Sequence, residues 1–247
     1  MMADPLLILN IGNTHVQLFE SPDPGTFLPA GIFSTPDFEP DRFRRDLPRL
    51  AAASVVPRLT AGLRDAGAFV ISGAMKLPFA PSPLDLSTVG ADRIANAAAL
   101  LDGPLPAISI DFGTAIDIEY VTEDRQFSGG AILPGRTLLR NALHDHTAQL
   151  PLIPLSDELP VLPGLNTADA LRIGTDRAAA GAVRELIREW RQLCAPAPLR
   201  VVACGGDRHF FLKNINGMTD GGDHFTVRGI RKLWDWHHAG KDLRHPG

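Results

Sequence analysis

The feature that most constrains this chain is a pattern that occurs twice. Leu6 to Ile11 is an apolar run that stops at Gly12 and turns through Asn13 and Thr14; a second run follows at Val16 to Phe19 and a third at Gly31 to Ser34. Far downstream, Ala107 to Ile110 leads into Asp111, Gly113 and Thr114, then Ile116 to Val121, the turn Thr122 to Gln126, and Gly129 to Leu133. Each copy reads as three short strands joined by tight turns. Aligning Gly12 with Gly113 and Asn10 with Asp111 sets an offset of roughly 100 residues, the size of one half of a duplicated two-domain protein. Two prolines bracket a short link at Gly103 to Pro106, so the expected halves are 1–104 and 105–247.

Helical patterns fill the space around these strands. Pro40 to Leu50 and Arg58 to Ala66 read as helices on either side of the strand-like Ala52 to Val56, with another short strand at Phe69 to Ser72. Lys76 to Thr88 carries three prolines and reads as a loop. Gly90 to Leu101, Arg136 to Gln149, Thr167 to Gly174 and Ala178 to Leu193 read as further helices, followed by a buried strand at Leu199 to Ala203 and a last helix from Ile230. Strands alternating with helices imply an α/β protein with mixed sheets.

Charge and cysteine content narrow the function. A net charge of −4 is of the wrong sign for a nucleic-acid or anionic-membrane binder, and no apolar run approaches the roughly 18 residues of a bilayer span. Cys194 and Cys204 sit in no metal-ligand spacing and read as buried thiols of a reducing compartment. The opening residues lack a basic segment of the secretory kind, so a cytoplasmic location is expected. Small-molecule chemistry fits this profile best.

A strand, then Asp or Asn, then Gly and Thr in a tight turn, then another strand, is a device for holding phosphate oxygens. Glycine lets backbone N–H groups approach, the hydroxyl donates, and a carboxylate holds the cation that accompanies phosphates. One such turn alone is an ordinary hairpin. Two at matching positions of a repeat, with Gly205 and Gly206 ending a third strand, point to a shared phosphate site at the carboxyl ends of the strands.

The successive blocks Asn10-Ile11-Gly12-Asn13-Thr14, Gly90-Ala91-Asp92-Arg93, Asp111-Phe112-Gly113-Thr114-Ala115, Gly129 to Gly135, Asn166-Thr167 and Gly205-Gly206 resemble the motifs of type III pantothenate kinases, in the same order. Ser54-Val55-Val56-Pro57 and Ala148-Gln149-Leu150-Pro151 fit the same pattern. The resemblance implies a duplicated ribonuclease-H-like fold of the actin/Hsp70/sugar-kinase type, with an interdomain ATP cleft, working as a homodimer. It implies ATP-dependent phosphorylation of pantothenate, the first step toward coenzyme A, with Mg2+ and a monovalent cation, K+ or NH4+. Carried over residue by residue, Asp92 is the catalytic carboxylate; Gly90, Ala91, Arg93 and Thr167 meet pantothenate, Thr167 from the partner subunit. Asn10, Gly12, Asn13, Thr14, Gly113, Thr114, Gly205 and Gly206 meet ATP, and Asp111 the metal. The expected two-fold contact uses the apolar faces of Gly90 to Leu101 and Arg136 to Leu143.

The chain departs from the family pattern at two places. Asn10 stands where the family keeps aspartate, so one charge toward the metal-bound nucleotide is missing. Ahead of Gly90 the family usually has a tyrosine and an Asn-Pro pair, whereas this chain has Pro83 to Val89 and its single tyrosine is Tyr120. Two readings therefore stand side by side: a pantothenate kinase, and a related nucleotide-binding or interaction protein with little turnover.

Overall fold

The structure, a computed structural model, describes residues 5–43 and 49–242. The chain divides into two compact units. The first holds the described residues up to Gly103 together with those from His224 onward; the second is Pro104–Asp223.

The first unit is built on a five-stranded sheet of β1 (Leu6–Ile11), β2 (His15–Ser21), β3 (Leu28–Ser34), β4 (Leu50–Ser54) and β5 (Phe69–Val70), in the order β3-β2-β1-β4-β5. β1, β2 and β3 form an antiparallel meander, and β4 and β5 run parallel to β1. Helix α1 (Pro57–Asp65) makes the crossover between β4 and β5 and buries Leu59 and Leu63. Its first residue is a proline, whose missing N–H costs nothing at that position. Of the helix expected at Pro40 to Leu50, Pro40–Phe43 is a single 3-10 turn, Leu50 already belongs to β4, and 44–48 lie outside the described residues.

The second unit repeats the plan. Its sheet contains β6 (Ala107–Phe112), β7 (Ala115–Val121), β8 (Phe127–Pro134), β9 (Arg200–Cys204) and β10 (Thr219–Asp220), in the order β10-β9-β6-β7-β8. The strand directions match those of the first sheet. Even single backbone bonds recur: Thr35 N donates to Thr14 O at 3.1 Å, and Gly135 N donates to Thr114 O at 3.0 Å. Val55 N donates to Ile11 O at 3.1 Å, and Asp207 N to Phe112 O at 2.9 Å. The sheet and its strand ends are therefore duplicated, as the ribonuclease-H-like reading requires.

Three helices depart from the sequence-based expectation. Residues 167–194 form one helix, α4 (Thr167–Cys194), where two were expected. Gly174 has nothing within 4 Å of the place a Cβ would occupy, and its cost of about 1 kcal/mol relative to alanine is small beside the burial of Ala179, Ala180, Val183 and Ile187 against the sheet. Helix α3 (Arg136–Asp145) ends four residues early, where His146 closes the last turn and Thr147 Oγ1 donates to Leu143 O. Helix α5 (Arg208–Asn214), the counterpart of α1 between β9 and β10, is too short to announce itself by periodicity.

Helices α2 (Ala91–Leu100) and α6 (Phe225–Asp242) pack on each other within the first unit. A Cβ at Gly229 would lie 1.8 Å from Ala95 O, so only glycine allows this crossing. Thr226 Oγ1 donates to Asn96 Oδ1 across it at 2.8 Å. A division at 104/105 would put α6 with the second half; instead the chain returns to the first unit for its last helix. Ile94 through Leu100 are buried in the single chain, so α2 offers no apolar face to a second copy, contrary to the expectation above. Leu138 and Leu143 of α3 are exposed.

Candidate active site

In the first unit, the carboxyl ends of β1 and β4 gather three sequence-predicted segments. Asn10 is the penultimate residue of β1, half-buried, and pairs in register with Gln17 of β2 and Ala53 of β4. Its Nδ2 donates to Gln17 Oε1 at 3.2 Å, which turns its own Oδ1 the other way. Gly12, Asn13 and Thr14 form the turn, closed by Gly12 N donating to His15 O at 3.0 Å. Asn13 and Thr14 are exposed. Thr35, which sequence reasoning missed, pins this turn: its Oγ1 donates to Gly12 O at 2.8 Å, and its N–H to Thr14 O.

The start of α2 comes to the same sheet end. A Cβ built on Gly90 would lie 2.6 Å from Asp92 Oδ1 and 3.7 Å from Val55 Cγ1, just past the end of β4. Glycine at 90 thus leaves room for the Asp92 carboxylate to fold back over the helix start. There Oδ1 accepts from Arg93 N at 2.8 Å. Burial pushes the Asp92 carboxyl above its ordinary value, more strongly than the backbone hydrogen bonds and the Arg93 charge hold it down. A carboxylate kept partly desolvated at a helix start is a proton acceptor of increased basicity. Ala91 is buried behind it, and Arg93 is half-buried alongside.

In the second unit, the carboxyl ends of β6 and β9 hold Asp111, Gly113, Thr114 and Gly205. Gly205 has φ +85°, and a Cβ there would lie 2.3 Å from Asp111 Oδ1 and 2.6 Å from Phe112 N. The Asp111 carboxylate therefore sits in the space that any side chain at 205 would fill. Gly113 N donates to Ala115 O at 3.0 Å to close the phosphate-type turn, and Thr114 stands exposed at its tip. Gly135 packs on the back of this turn: its Cβ would fall 2.3 Å from Gly113 O and 2.5 Å from Thr114 O. Gly206 is exposed and has open space around it.

Asp111 carries one charge at the very site where Asn10 carries none. Register makes them equivalent: Asn10 opposes Gln17, and Asp111 opposes Asp117. The duplicated strand ends thus differ in character, a neutral amide pair against an acidic pair. Hard cations such as Mg2+ and K+ take oxygen ligands, and the Asp111 carboxylate and Thr114 hydroxyl are the donors of that kind the second turn presents. Their chemistry fits such a cation, whereas the first turn offers only neutral oxygens.

Four charged residues that sequence reasoning passed over brace the second unit's turns. Arg136, the first residue of α3, is fully buried and forked onto Asp207 through Nε (2.7 Å) and Nη2, with Nη1 donating to Ser156 O at 2.8 Å. Its guanidinium lies 3.6 Å from the Phe210 ring centroid. Asp176 on α4 accepts from Arg140 Nη2 at 2.6 Å and faces Arg136 Nη1 at 3.4 Å. The signal available in the sequence was an arginine directly after Pro134-Gly135 and an aspartate directly after Gly205-Gly206.

Thr167 lies apart from these turns along the chain. It is the first residue of α4 and exposed; the Asn166 side chain caps the helix by accepting from Asp169 N at 2.9 Å.

The profile of the type III pantothenate kinase family matches residues 31–189. A type III pantothenate kinase of Chlorobium luteolum is 32% identical over 256 aligned positions, covering 94% of each chain. Among solved structures, a Baf family protein from Campylobacter jejuni superposes with a TM-score of 0.66 at 17% identity, covering 95% of this chain and 100% of its own. A ROK family glucokinase from Streptomyces griseus, solved with glucose and AMPPNP, gives 0.53 at 12% identity over 93% and 98%. These two likenesses speak for the fold.

Proposed function

Since the chain belongs to the type III pantothenate kinases, we propose the following division of labour for the reaction of that family. The protein phosphorylates pantothenate with ATP to give 4'-phosphopantothenate, at the entry to coenzyme A synthesis, and uses a divalent metal. The observation that carries the site assignment is Asp92: a desolvated carboxylate at the start of α2, with Oδ1 accepting from Arg93 N.

In our reading, Asp92 Oδ2 accepts the proton of the primary hydroxyl of pantothenate as that oxygen attacks the γ-phosphorus in line. Gly90 and Ala91 keep the approach to this carboxylate narrow, and Arg93 pairs with the pantothenate carboxylate. The Gly12-Asn13-Thr14 and Gly113-Thr114 turns hold phosphate oxygens through backbone N–H groups and the two threonine hydroxyls, and Asn10 donates or accepts as a neutral partner. Gly205 and Gly206 form the adenosine side. Asp111 and Thr114 would hold the cations; a bound Mg2+ neutralises the charge that gathers on the phosphates. We assign the monovalent cation, K+ or NH4+, to Asp111.

We further propose a homodimer. Ile132, Leu138, Leu143, Leu152 and Leu155 of the second unit are exposed large apolar side chains, the material of a self-complementary patch. Thr167, exposed beside Leu165, is offered to the pantothenate site of the partner. A cytoplasmic location agrees with two free cysteines, and no helix among the described residues is long and apolar enough to cross a membrane. No observation favours a relative without turnover.

A coupled assay of ADP release, with and without pantothenate and with K+ exchanged for Na+, tests the reading. ADP release that needs both pantothenate and K+ is expected; release indifferent to pantothenate would overturn the substrate assignment. Light scattering tests the dimer, and a monomer mass at micromolar concentration would refute it.

A further inference from the structure

On the second unit, α4 carries arginines at 177, 184 and 191, a strict seven-residue spacing that places all three on one stripe about 10 Å apart per step. They line a cavity of about 480 Å³ together with Leu159, Ile187, Ile215, Asn214 and Asn216. No acidic residue lines it. This is unusual on a helix whose other arginines find carboxylates: Arg172 pairs with Asp169, and Arg188 with Glu185 and Glu189. Among the described residues no carboxylate pairs with Arg177, Arg184 or Arg191.

Two of the three cations are held in place without being neutralised. Arg177 donates from Nε and Nη2 to Pro160 O, at 3.2 and 2.7 Å. Arg191 Nη2 donates to Gly217 O at 3.0 Å. Gly217 has φ +83°, and a Cβ there would lie 2.5 Å from Arg191 Nη2, so the loop after α5 is shaped around this guanidinium. Carbonyl acceptors fix the geometry and leave the positive charge for an anion, whereas a surface arginine serving only solubility needs no such seat. Arg184, between them, is exposed.

We propose that this groove is a binding site for a small metabolite bearing two or more phosphate groups, separate from the ATP and pantothenate sites. The guanidiniums would take the phosphates through paired hydrogen bonds. Asn214 and Asn216 supply amides, and Leu159, Ile187 and Ile215 form an apolar wall for an organic body. The cavity size is that of a small-molecule site, and its concave, partly apolar lining does not suit a nucleic-acid backbone. The groove lies at the C-terminal end of α5, while Gly205 and Gly206 precede its N-terminal end, about 10 Å along the helix. A ligand there would bear on α5, and through it on the adenosine-side turn.

The test is calorimetric titration of the whole protein with inorganic tripolyphosphate while saturating AMPPNP and Mg2+ occupy the active site. Wild type is expected to bind one equivalent, and Arg184→Ala and Arg191→Ala to bind at least about ten-fold more weakly, as loss of one charge-assisted contact demands. Arg184→Ala, an exposed change, should fold normally and keep wild-type kinase activity without tripolyphosphate. Equal binding by wild type and Arg184→Ala would overturn the proposal, as would absence of binding to wild type. So would a single-stranded oligonucleotide that competes with tripolyphosphate at lower concentration. Kinase activity measured on aliquots of the same preparations before AMPPNP is added separates this outcome from failure of the functional reading.

Discussion

The guanidinium of Arg136 and the carboxylate of Asp207 close a two-pronged ion pair that joins the residue after Gly135 to the residue after Gly206. Gly135 rests on the Gly113-Thr114 turn, and Asp207 N is bonded to Phe112 O. One buried pair therefore holds the phosphate turn and the adenosine-side turn of the second unit in fixed relation. Removing one partner of such a pair leaves an uncompensated buried charge, a loss of about 3 to 5 kcal/mol. Arg136→Met should lose about that much stability in urea unfolding. Asp207→Asn, which keeps shape and one acceptor, should lose less and mainly raise KM for ATP with kcat nearly unchanged.

Asp92→Asn should lower kcat by about 10² to 10⁴-fold while leaving nucleotide affinity nearly intact. It should also stabilise the fold at neutral pH. Burial raises the carboxyl pKa in the folded chain, so the protonated form is the one the fold favours. The contribution to stability is full below the unfolded pKa and lost as pH rises through the folded value. The amide escapes that loss, and Tm of the variant should exceed wild type at pH 7 and converge with it in acid. Thermal melts across pH check this, and a Tm at or below wild type at pH 7 would refute it.

Gly90→Ala introduces no backbone strain, since Gly90 sits at φ −59°, but its methyl would displace the Asp92 carboxylate. Misplacing a reacting group by about 1 Å can cost about 10²-fold. Turnover should therefore fall by one to two powers of ten at nearly unchanged Tm. Wild-type kcat would show that the carboxylate position does not matter.

Gly205→Ala should be far more damaging to the second unit than Gly206→Ala. At 205 a methyl meets Asp111 and Phe112 and a left-handed backbone; at 206 it meets nothing within 4 Å. Urea midpoints and nucleotide affinity should drop for the first variant and stay near wild type for the second. Asp111→Asn should instead fold normally and require more K+ for half-maximal rate.

Asn10→Asp should lower KM for ATP by about ten-fold, because charge-assisted contacts contribute roughly 1.5 to 3 kcal/mol against about 1 for neutral ones. Gln17 can rotate its amide to donate to the new carboxylate, so the strand pair survives. Steady-state kinetics at several Mg2+ concentrations check the effect. An unchanged KM would show that the neutral turn is no handicap.

The duplicated sheets were legible because the Gly-Thr turns and the apolar runs around them are local signals that recur. The start of α2 was legible for the same reason, an acidic residue at a helix beginning. What escaped was what depends on long-range pairing. Arg136 and Asp207 are 71 positions apart, and nothing in either neighbourhood announces the other. Thr35 holds the first turn from 23 residues away. Gly174 read as a break because glycine is weak in a helix, but its neighbours Thr175 and Asp176 are anchored, Asp176 by Arg140, so tertiary contacts override the propensity. The apolar face of α2 read as a surface for a second copy because a sequence cannot say that α6, more than a hundred residues later, already covers it.

That covering has a consequence for how the protein comes into being. The helix bearing Asp92 is braced by a helix made more than a hundred residues after it, with Gly229 against Ala95 and Thr226 bonded to Asn96. The second unit has all five strands of its sheet in the chain before α6 is reached. The first unit must wait for residues 225–242 to emerge, although its strands were made at the outset. Between those moments the alanine face of α2 is bare, so a chain cut short after Asp223 would hold a finished second unit and an exposed, unfinished first one. Catalytic competence thus arrives only once residues 225–242 have joined the first unit.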